Sequence, residues 1–313
     1  SFWISNTAST AIMLPIVLFT LSRSKLRPFG SNYAKAVVLG VAFAATIGGI
    51  GTIVGTPPNG ITVANLAEEG IYVSFAEWLF YSLPFVIIFL PLTWLILTTV
   101  YRPEVKKIPL AQKSGRWTKN HKKVMAIGAL TMLLWMTSVF HGVPDSTVAL
   151  IPVILLYLLG LLGKEDISKI DWSVLLLFGG GLSLGTAIDA SGLSGYLGGL
   201  LGGMVAGQSL FMLFLAVIVF AVVMTLSASN TATAALIVPV VIPLAMATGA
   251  DIKELAIIAG IGTSLDFLVP MGTPPSAIAY SSGHIRVWDM LKAGFFVTIA
   301  GIVLLAVLAT LYW

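Results

Sequence analysis

Two short polar clusters stand inside otherwise apolar sequence. Ser5-Asn6-Thr7 opens a run that continues to Pro15, Ser229-Asn230-Thr231 opens one that continues to Pro239, and the two eleven-residue stretches are identical at six positions. Each is followed by Gly-Thr-Pro-Pro, at 55–58 and 272–275, which begins 50 and 43 residues after the respective Ser. Two linked motifs recurring in the same order make a duplication. Ser, Asn and Thr are favoured where a helix begins, because a short side-chain oxygen accepts from the N–H groups that the first turn leaves free. Pro-Pro suits a helix start because proline lacks that N–H. The pattern predicts four helix N-termini, at Ser5-Asn6-Thr7, Pro57-Pro58, Ser229-Asn230-Thr231 and Pro274-Pro275. Each would carry about half a positive charge and present free donors. Four converging at mid-depth would hold an anion without Arg or Lys. The ends of the preceding half-helices have the opposite polarity: carbonyls freed at Gly55 and Gly272, with side-chain oxygens of Asn6, Asn230, Ser1 or Thr225, suit a hard cation such as Na⁺.

Helix capping alone would account for one Ser-Asn-Thr. Duplication inside apolar sequence favours ligand binding, since an unpaired polar group in hydrocarbon costs several kcal/mol. Asp266, six residues before Gly272, is a candidate coupling carboxylate that binds a cation or carries a proton. The equal alternative is a structural carboxylate bonded to hydroxyls or N–H groups of the interrupted helix. Asp189 is expected at the outer interface in a structural role, and His121, His141 and His284 in loops. The chain holds no cysteine, no His–carboxylate pair at metal-ligand spacing and no strand-to-helix phosphate loop, Gly179-Gly180-Gly181 lying within an apolar span. An enzyme is therefore not expected, and the glycines are assigned to close helix packing.

The elements that must position these residues follow from composition. Of 313 residues, 58% are hydrophobic and 10% charged, against about 25% charged in soluble domains. Most of the surface must face lipid, so the chain reads as an all-α integral membrane protein. Runs at 79–100, 123–140, 145–163, 173–190 and 290–312 approach or exceed the roughly 20 residues that cross a bilayer. Residues 36–66 and 252–283 are apolar but interrupted by glycine and proline, and 208–248 is too long for one crossing and reads as a re-entrant hairpin. On this topology 16 of the 17 Lys and Arg fall on one side, Lys253 alone opposite. That side, with the 102–123 loop, is expected to be cytoplasmic and the C-terminus outside, in a multi-pass protein of the cell inner (plasma) membrane. Lipid headgroups account for the basic loop, and nucleic acid is not a partner. The first Ser-Asn-Thr helix would exit to the cytoplasm near Arg23 and the second outward near Asp251, so the repeats are inverted, as in secondary transporters. The second hairpin has a descending arm at 208–227. The first would need one before Ser1, so an N-terminally incomplete portion of a larger transporter is expected.

With both paired motifs in hand, the chain resembles the divalent anion/sodium symporter family, which transports dicarboxylates and citrate. The resemblance implies that Asn6, Thr7, Thr56 and Pro57 of the first repeat, with Asn230, Thr231, Thr273 and Pro274 of the second, bind substrate carboxylates. It implies a first sodium site of Ser1, Ser5, Asn6 and Gly55 and a second of Thr225, Ala228, Asn230 and Gly272, several through carbonyls, with Na⁺ as coupling ion. It further implies a homodimer in which a scaffold holds the interface and a transport domain moves as an elevator. On that plan residues 1–78 are repeat 1 of the transport domain (second hairpin arm and broken helix), 79–170 scaffold helices, 171–290 repeat 2 (hairpin and broken helix) and 291–313 the last transmembrane helix. The expected fold is thus an inverted-repeat secondary transporter with two re-entrant hairpins and two broken helices, of elevator type. Two departures stand out: Ser276 where the family's second loop commonly has Asn (the first copy keeps Asn59), and Asp266 itself. Some family members exchange dicarboxylates without sodium, so exchange and Asp266-based cation/proton antiport stay open beside symport.

Overall fold

The structure, a computed structural model, describes every residue except 25, 27–28, 106–117, 169, 171, 194, 197–198, 200–202 and 204–208. Lys25, Arg27, Lys106, Lys107, Lys113, Arg116 and Lys169, counted in the charge asymmetry, and the side chain of Asp189 therefore lie outside the described residues. The rest is helix and loop, with no strand among the described residues. In chain order the helices are α1 (Asn6–Arg23), α2 (Asn32–Ile50), α3 (Pro57–Glu68), α4 (Phe75–Val100), α5 (Lys119–Met136), α6 (Ser138–His141), α7 (Asp145–Val148), α8 (Leu150–Leu158), α9 (Lys164–Ile167), α10 (Trp172–Ala190), α11 (Leu210–Thr225), α12 (Asn230–Thr248), α13 (Ile252–Gly262), α14 (Pro274–Ser281) and α15 (Val287–Tyr312). By length and composition α2, α4, α12 and α15 can each cross a membrane.

The interruptions fall where glycine and proline put them. α2 stops at Ile50 and α3 restarts at Pro57; α13 stops at Gly262 and α14 restarts at Pro274. Within the 208–248 run, Leu210–Thr248 form a helical hairpin, α11 and α12 joined through Ser227-Ala228-Ser229. Two apolar runs read as continuous are each in two pieces. Residues 123–140 divide at Thr137, whose Oγ1 donates back to the Leu133 carbonyl at 2.7 Å, a bond that competes with the helix ladder. Residues 145–163 divide at Ala149, because Pro152 lacks an N–H and its ring crowds the carbonyl of Val148. His121 is also not in a loop: it closes a capping box with Thr118 in the first turn of α5.

The halves are packed crosswise. α3, which follows the first break, lies against α10, α12 and α13; α14, which follows the second, lies against α1 and α2. Between them, Phe267 from the second break meets Phe43 of α2 and Phe89 of α4 edge-on, at centroid distances of 5.0 and 5.8 Å. Glycines permit the close crossings. A Cβ on Gly260 would strike Thr62, one on Gly262 would lie 3.0 Å from the Ala221 Cβ, and one on Gly181 would lie 2.6 Å from that of Ala235. Of the expected glycine run only Gly181 makes such a crossing, with Gly185 one turn on; Gly179 and Gly180 face open space.

Polar contacts sort the loops into two ends. At one, Glu104 accepts from Ser31 Oγ and from Tyr33 N (2.9 Å), Lys35 pairs with Asp289 at 2.7 Å, and Tyr101 Oη donates to the Asp289 carbonyl at 2.7 Å. Desolvation pushes the Glu104 carboxyl up, but these hydrogen bonds outweigh it and hold the group below its usual value. At the other, Lys253 pairs with Glu77 at 2.6 Å, and Asp145 accepts from Phe75 N at 2.6 Å. α1 therefore runs out toward the Glu104 end and α12 toward the Lys253 end. Asp289 also caps α15 by accepting from Arg286 N at 2.9 Å and is 8% exposed. Asp289→Leu is expected to cost about 3 kcal/mol by stranding Lys35. The Lys35→Met/Asp289→Leu pair should recover part of that loss in a detergent melting experiment.

Candidate ion and anion site at the two helix breaks

A helix that ends in the interior leaves its last carbonyls without intrahelical partners. At the first break the side chain of Asn59, one turn into α3 and fully buried, supplies them: Nδ2 lies 2.9 Å from the Gly49 carbonyl, 3.3 Å from that of Ile50 and 2.7 Å from that of Thr52. α4 completes the set, with Trp78 Nε1 donating to Ile50 O at 3.0 Å and Ser82 Oγ to Gly51 O at 2.9 Å. The chain start is drawn into the same place. Ser1 Oγ donates to Ala45 O and Thr52 Oγ1 to Phe2 O, both at 2.5 Å. Ser1 rests on Gly48, Asn6 on Gly49 and the Gly49 carbonyl on Gly55, each contact so close that no Cβ fits on the glycine. Asn6 Oδ1 is buried without a partner among the described residues. Ser1, Asn6 and Gly55 thus gather around Gly48-Gly49. Ser5 is instead exposed and occupied as the α1 cap, accepting from Ala8 N at 3.2 Å, and Thr7 is exposed. Thr56 is buried and begins α3 with no side-chain cap bond, Pro57 following at the first helical position.

At the second break Thr225, fully buried at the end of α11, places Oγ1 2.8 Å from Asn230 Oδ1 and 3.0 Å from the Thr263 carbonyl, tying hairpin tip to broken helix. Ser229 caps α12 by accepting from Ala232 N at 3.2 Å. Thr273 caps α14, accepting from Ser276 N at 3.2 Å and donating to Ser276 Oγ at 2.9 Å, with Pro274 next. Thr298 of α15 donates to Leu265 O at 3.2 Å. Asp266 is fully buried; Oδ1 accepts from Leu268 N at 3.3 Å, and Oδ2 presses on Gly272 with no hydrogen-bond partner among the described residues. Ala228 and Thr231 are half-buried beside this tip, whereas Thr233 is fully buried with an unpartnered hydroxyl.

The two breaks are therefore closed differently. Gly49 and Asp266 stand six residues before their Gly-Thr-Pro-Pro glycines, and Asn59 and Ser276 four residues after them. In the first break an amide reaches back from the following helix. In the second that helix offers only a serine turned onto its own cap, and a carboxyl projects from the break itself. The supporting side chains on α4 and α15 were not singled out from sequence. The usable sign was Trp78 and Ser82, one turn apart on one face of an apolar helix. Also unforeseen is a groove of about 1010 Å³ between α1, α2 and α4, bordered by Ser1, Ser9, Tyr33, Thr93 and Trp94.

Residues 2–313 match the family model described as the sodium:sulfate symporter transmembrane region. The chain belongs to this family. It is 35% identical, over 100% of its length and 70% of the relative's, to an uncharacterized transporter of Haemophilus influenzae. It is 32% identical, over 97% of its length and 65% of the relatives', to the sodium-dependent dicarboxylate transporter SdcS of Staphylococcus saprophyticus and to that of Staphylococcus aureus. The chain thus spans about two thirds of the length of these SdcS relatives. Family and relatives are transporters, which sets this symporter-family protein apart from enzymes.

Because the Asn59 amide is shared among three buried carbonyls, Asn59→Ala is expected to cost about 2–3 kcal/mol of stability through buried oxygens left short of donors. Ser276→Ala should cost under about 1 kcal/mol, since it removes one hydroxyl partner. Melting of both variants in detergent measures the contrast.

Proposed function

We propose that this symporter-family chain forms the core of a secondary transporter that carries a small di- or tricarboxylate, succinate-like, together with Na⁺ across the cell inner (plasma) membrane. The observation that carries this reading is the juxtaposition, in each half, of a Ser-Asn-Thr helix start with the carbonyl-rich break of an interrupted helix: Asn6 against Gly49, and Asn230 joined through Thr225 to Thr263. Carbonyl and amide oxygens suit Na⁺, and helix starts suit a carboxylate. On this reading Ser1, Ser5, Asn6 and Gly55 hold one ion, and Thr225, Ala228, Asn230 and Gly272 a second. The substrate lies on Asn6, Thr7, Thr56, Pro57, Asn230, Thr231, Thr273 and Pro274. Ion and anion then share loops: a bound ion fixes the loop that presents the donors and offsets the anion's charge, which couples the two bindings. Ser5 serves through its carbonyl, since its hydroxyl caps α1.

The same proposal includes an inverted repeat, a transport domain of residues 1–78 and 171–290, scaffold helices at 79–170, and a homodimer working as an elevator. Support for the inversion comes from α1 and α12 running to opposite ends and from the crossed packing of α3 and α14. The 102–123 loop is assigned to the cytoplasm and the C-terminus to the outside by charge. The relatives named as sodium-dependent dicarboxylate transporters favour symport over sodium-independent exchange. The unpaired Asp266 favours one rival, cation/proton antiport.

Melting with succinate, citrate and sulfate, in sodium and in choline, is expected to show stabilisation by a dicarboxylate that is larger in sodium. Uptake of labelled succinate into proteoliposomes should require an inward sodium gradient; sodium-independent uptake that needs internal dicarboxylate would establish exchange. Asp266→Asn abolishing transport while Asn230→Ala spares it would establish antiport. Asn6→Asp should weaken succinate binding tenfold or more, about 1.4 kcal/mol, by like-charge repulsion, and unchanged affinity in calorimetry would remove Asn6 from the anion site.

A further inference from the structure

The two breaks differ in where their charge comes from. Around the first no acidic side chain is bonded to the broken ends among the described residues: the Asn59 amide nitrogen is shared among the carbonyls of residues 49, 50 and 52, and the buried oxygens left without a partner there, Asn6 Oδ1 and Asn59 Oδ1, are neutral. Around the second no side-chain amide donates to the break's carbonyls among the described residues: Asn230 accepts from Thr225 through Oδ1, and Ser276 is bonded to Thr273. Asp266 projects there instead, fully buried, with Oδ2 lacking a partner and no Lys, Arg or His paired with it among the described residues. A buried carboxylate persists only when a cation or several donors compensate it, and the one donor here is Leu268 N. Oδ2 also lies against Gly272, whose carbonyl belongs to the proposed second ion site.

We propose that Asp266 is a carboxylate ligand of the cation bound at the second break, so that this break is completed by the ion, whereas the first, closed by Asn59, is formed before any ion arrives. The inference rests on the reading that both breaks bind Na⁺. It makes the two ions inequivalent: one enters a preformed cradle of neutral oxygens, and the other meets a full negative charge and orders the segment that holds it. Filling the second site removes that charge from beside the helix starts at Asn230 and Pro274, so the carboxylate substrate is bound after this ion.

Hydrogen exchange of the wild-type protein in sodium and in choline reads the difference directly. Sodium is expected to slow exchange across residues 264–272 at least tenfold and across 49–56 by less than threefold. In Asp266→Asn the sodium concentration for half-maximal protection of 264–272 should rise at least tenfold, with 49–56 unchanged. Equal protection of both breaks in the wild type overturns the proposal, as does protection of 49–56 alone, and either leaves sodium coupling standing. A sodium effect on neither break removes the functional reading and this inference together. An unchanged sodium midpoint in folded Asp266→Asn overturns Asp266 as the ligand; the wild-type contrast needs no variant and tests the inequivalence of the two breaks even if Asp266→Asn does not fold.

Discussion

Everything in this molecule answers to one constraint: a helix broken in a dry interior exposes backbone carbonyls and N–H groups that water cannot reach. Two breaks leave two sets of such groups, and each must be met from elsewhere in the chain. The carbonyl side of the first break is met by Asn59, Trp78 and Ser82, and that of the second by Thr225 and Thr298. The N–H side is relieved by proline at the first position of α3 and α14. These partners do not use every polar atom at the breaks. Among the described residues Asn6 Oδ1, Asn59 Oδ1, Ser264 Oγ, Asp266 Oδ2 and the unbonded cap of Thr56 are polar groups at the breaks without a partner.

The same constraint explains the crossed packing. Short helices such as α3 and α14, of 12 and 8 residues, cannot hold themselves together. Each is clamped by the other half, α3 by α12 and α13, α14 by α1 and α2, and the glycines at 181, 260 and 262 let the backbones approach. The helix that follows each break is thus packed against the Ser-Asn-Thr helix of the opposite half. Phe267, packed between Phe43 and Phe89, joins the second break to α2 and α4.

How far this was legible from sequence depended on the range of the interaction. The caps at Ser5 and Ser229, the proline starts, both breaks and the 208–248 hairpin are local: residue type and the missing N–H decide them within a turn. The division at Ala149 was equally local, but uniform hydrophobicity across 145–163 hid the consequence of Pro152. The partners of the broken ends are long-range. Nothing within an apolar span tells that Trp78 points at Ile50 or Thr298 at Leu265, because the span's hydropathy is the same whichever face is turned inward. Asn59 was visible as part of a motif. Its action on three carbonyls seven to ten residues earlier needs the chain to fold back on itself.

Duplication does not make the halves equal. Thr56 and Thr273 begin corresponding helices, yet only Thr273 spends its hydroxyl on its own cap, because Ser276 stands where the first half has Asn59 and gives the hydroxyl a partner. With Asn59 turned back to the break, Thr56 keeps its hydroxyl uncommitted. The first half thus presents a hydrogen-bonded break with an unbonded Thr56 hydroxyl, and the second a self-satisfied helix start beside a carboxylate that lacks a counter-charge among the described residues. On the proposed reading, an anion between them gains a hydroxyl from one side and meets repulsion from the other until that carboxylate is compensated. On the proposed reading, an order of binding follows from two of the differences between the breaks, Ser276 in place of Asn59 and Asp266 in place of Gly49.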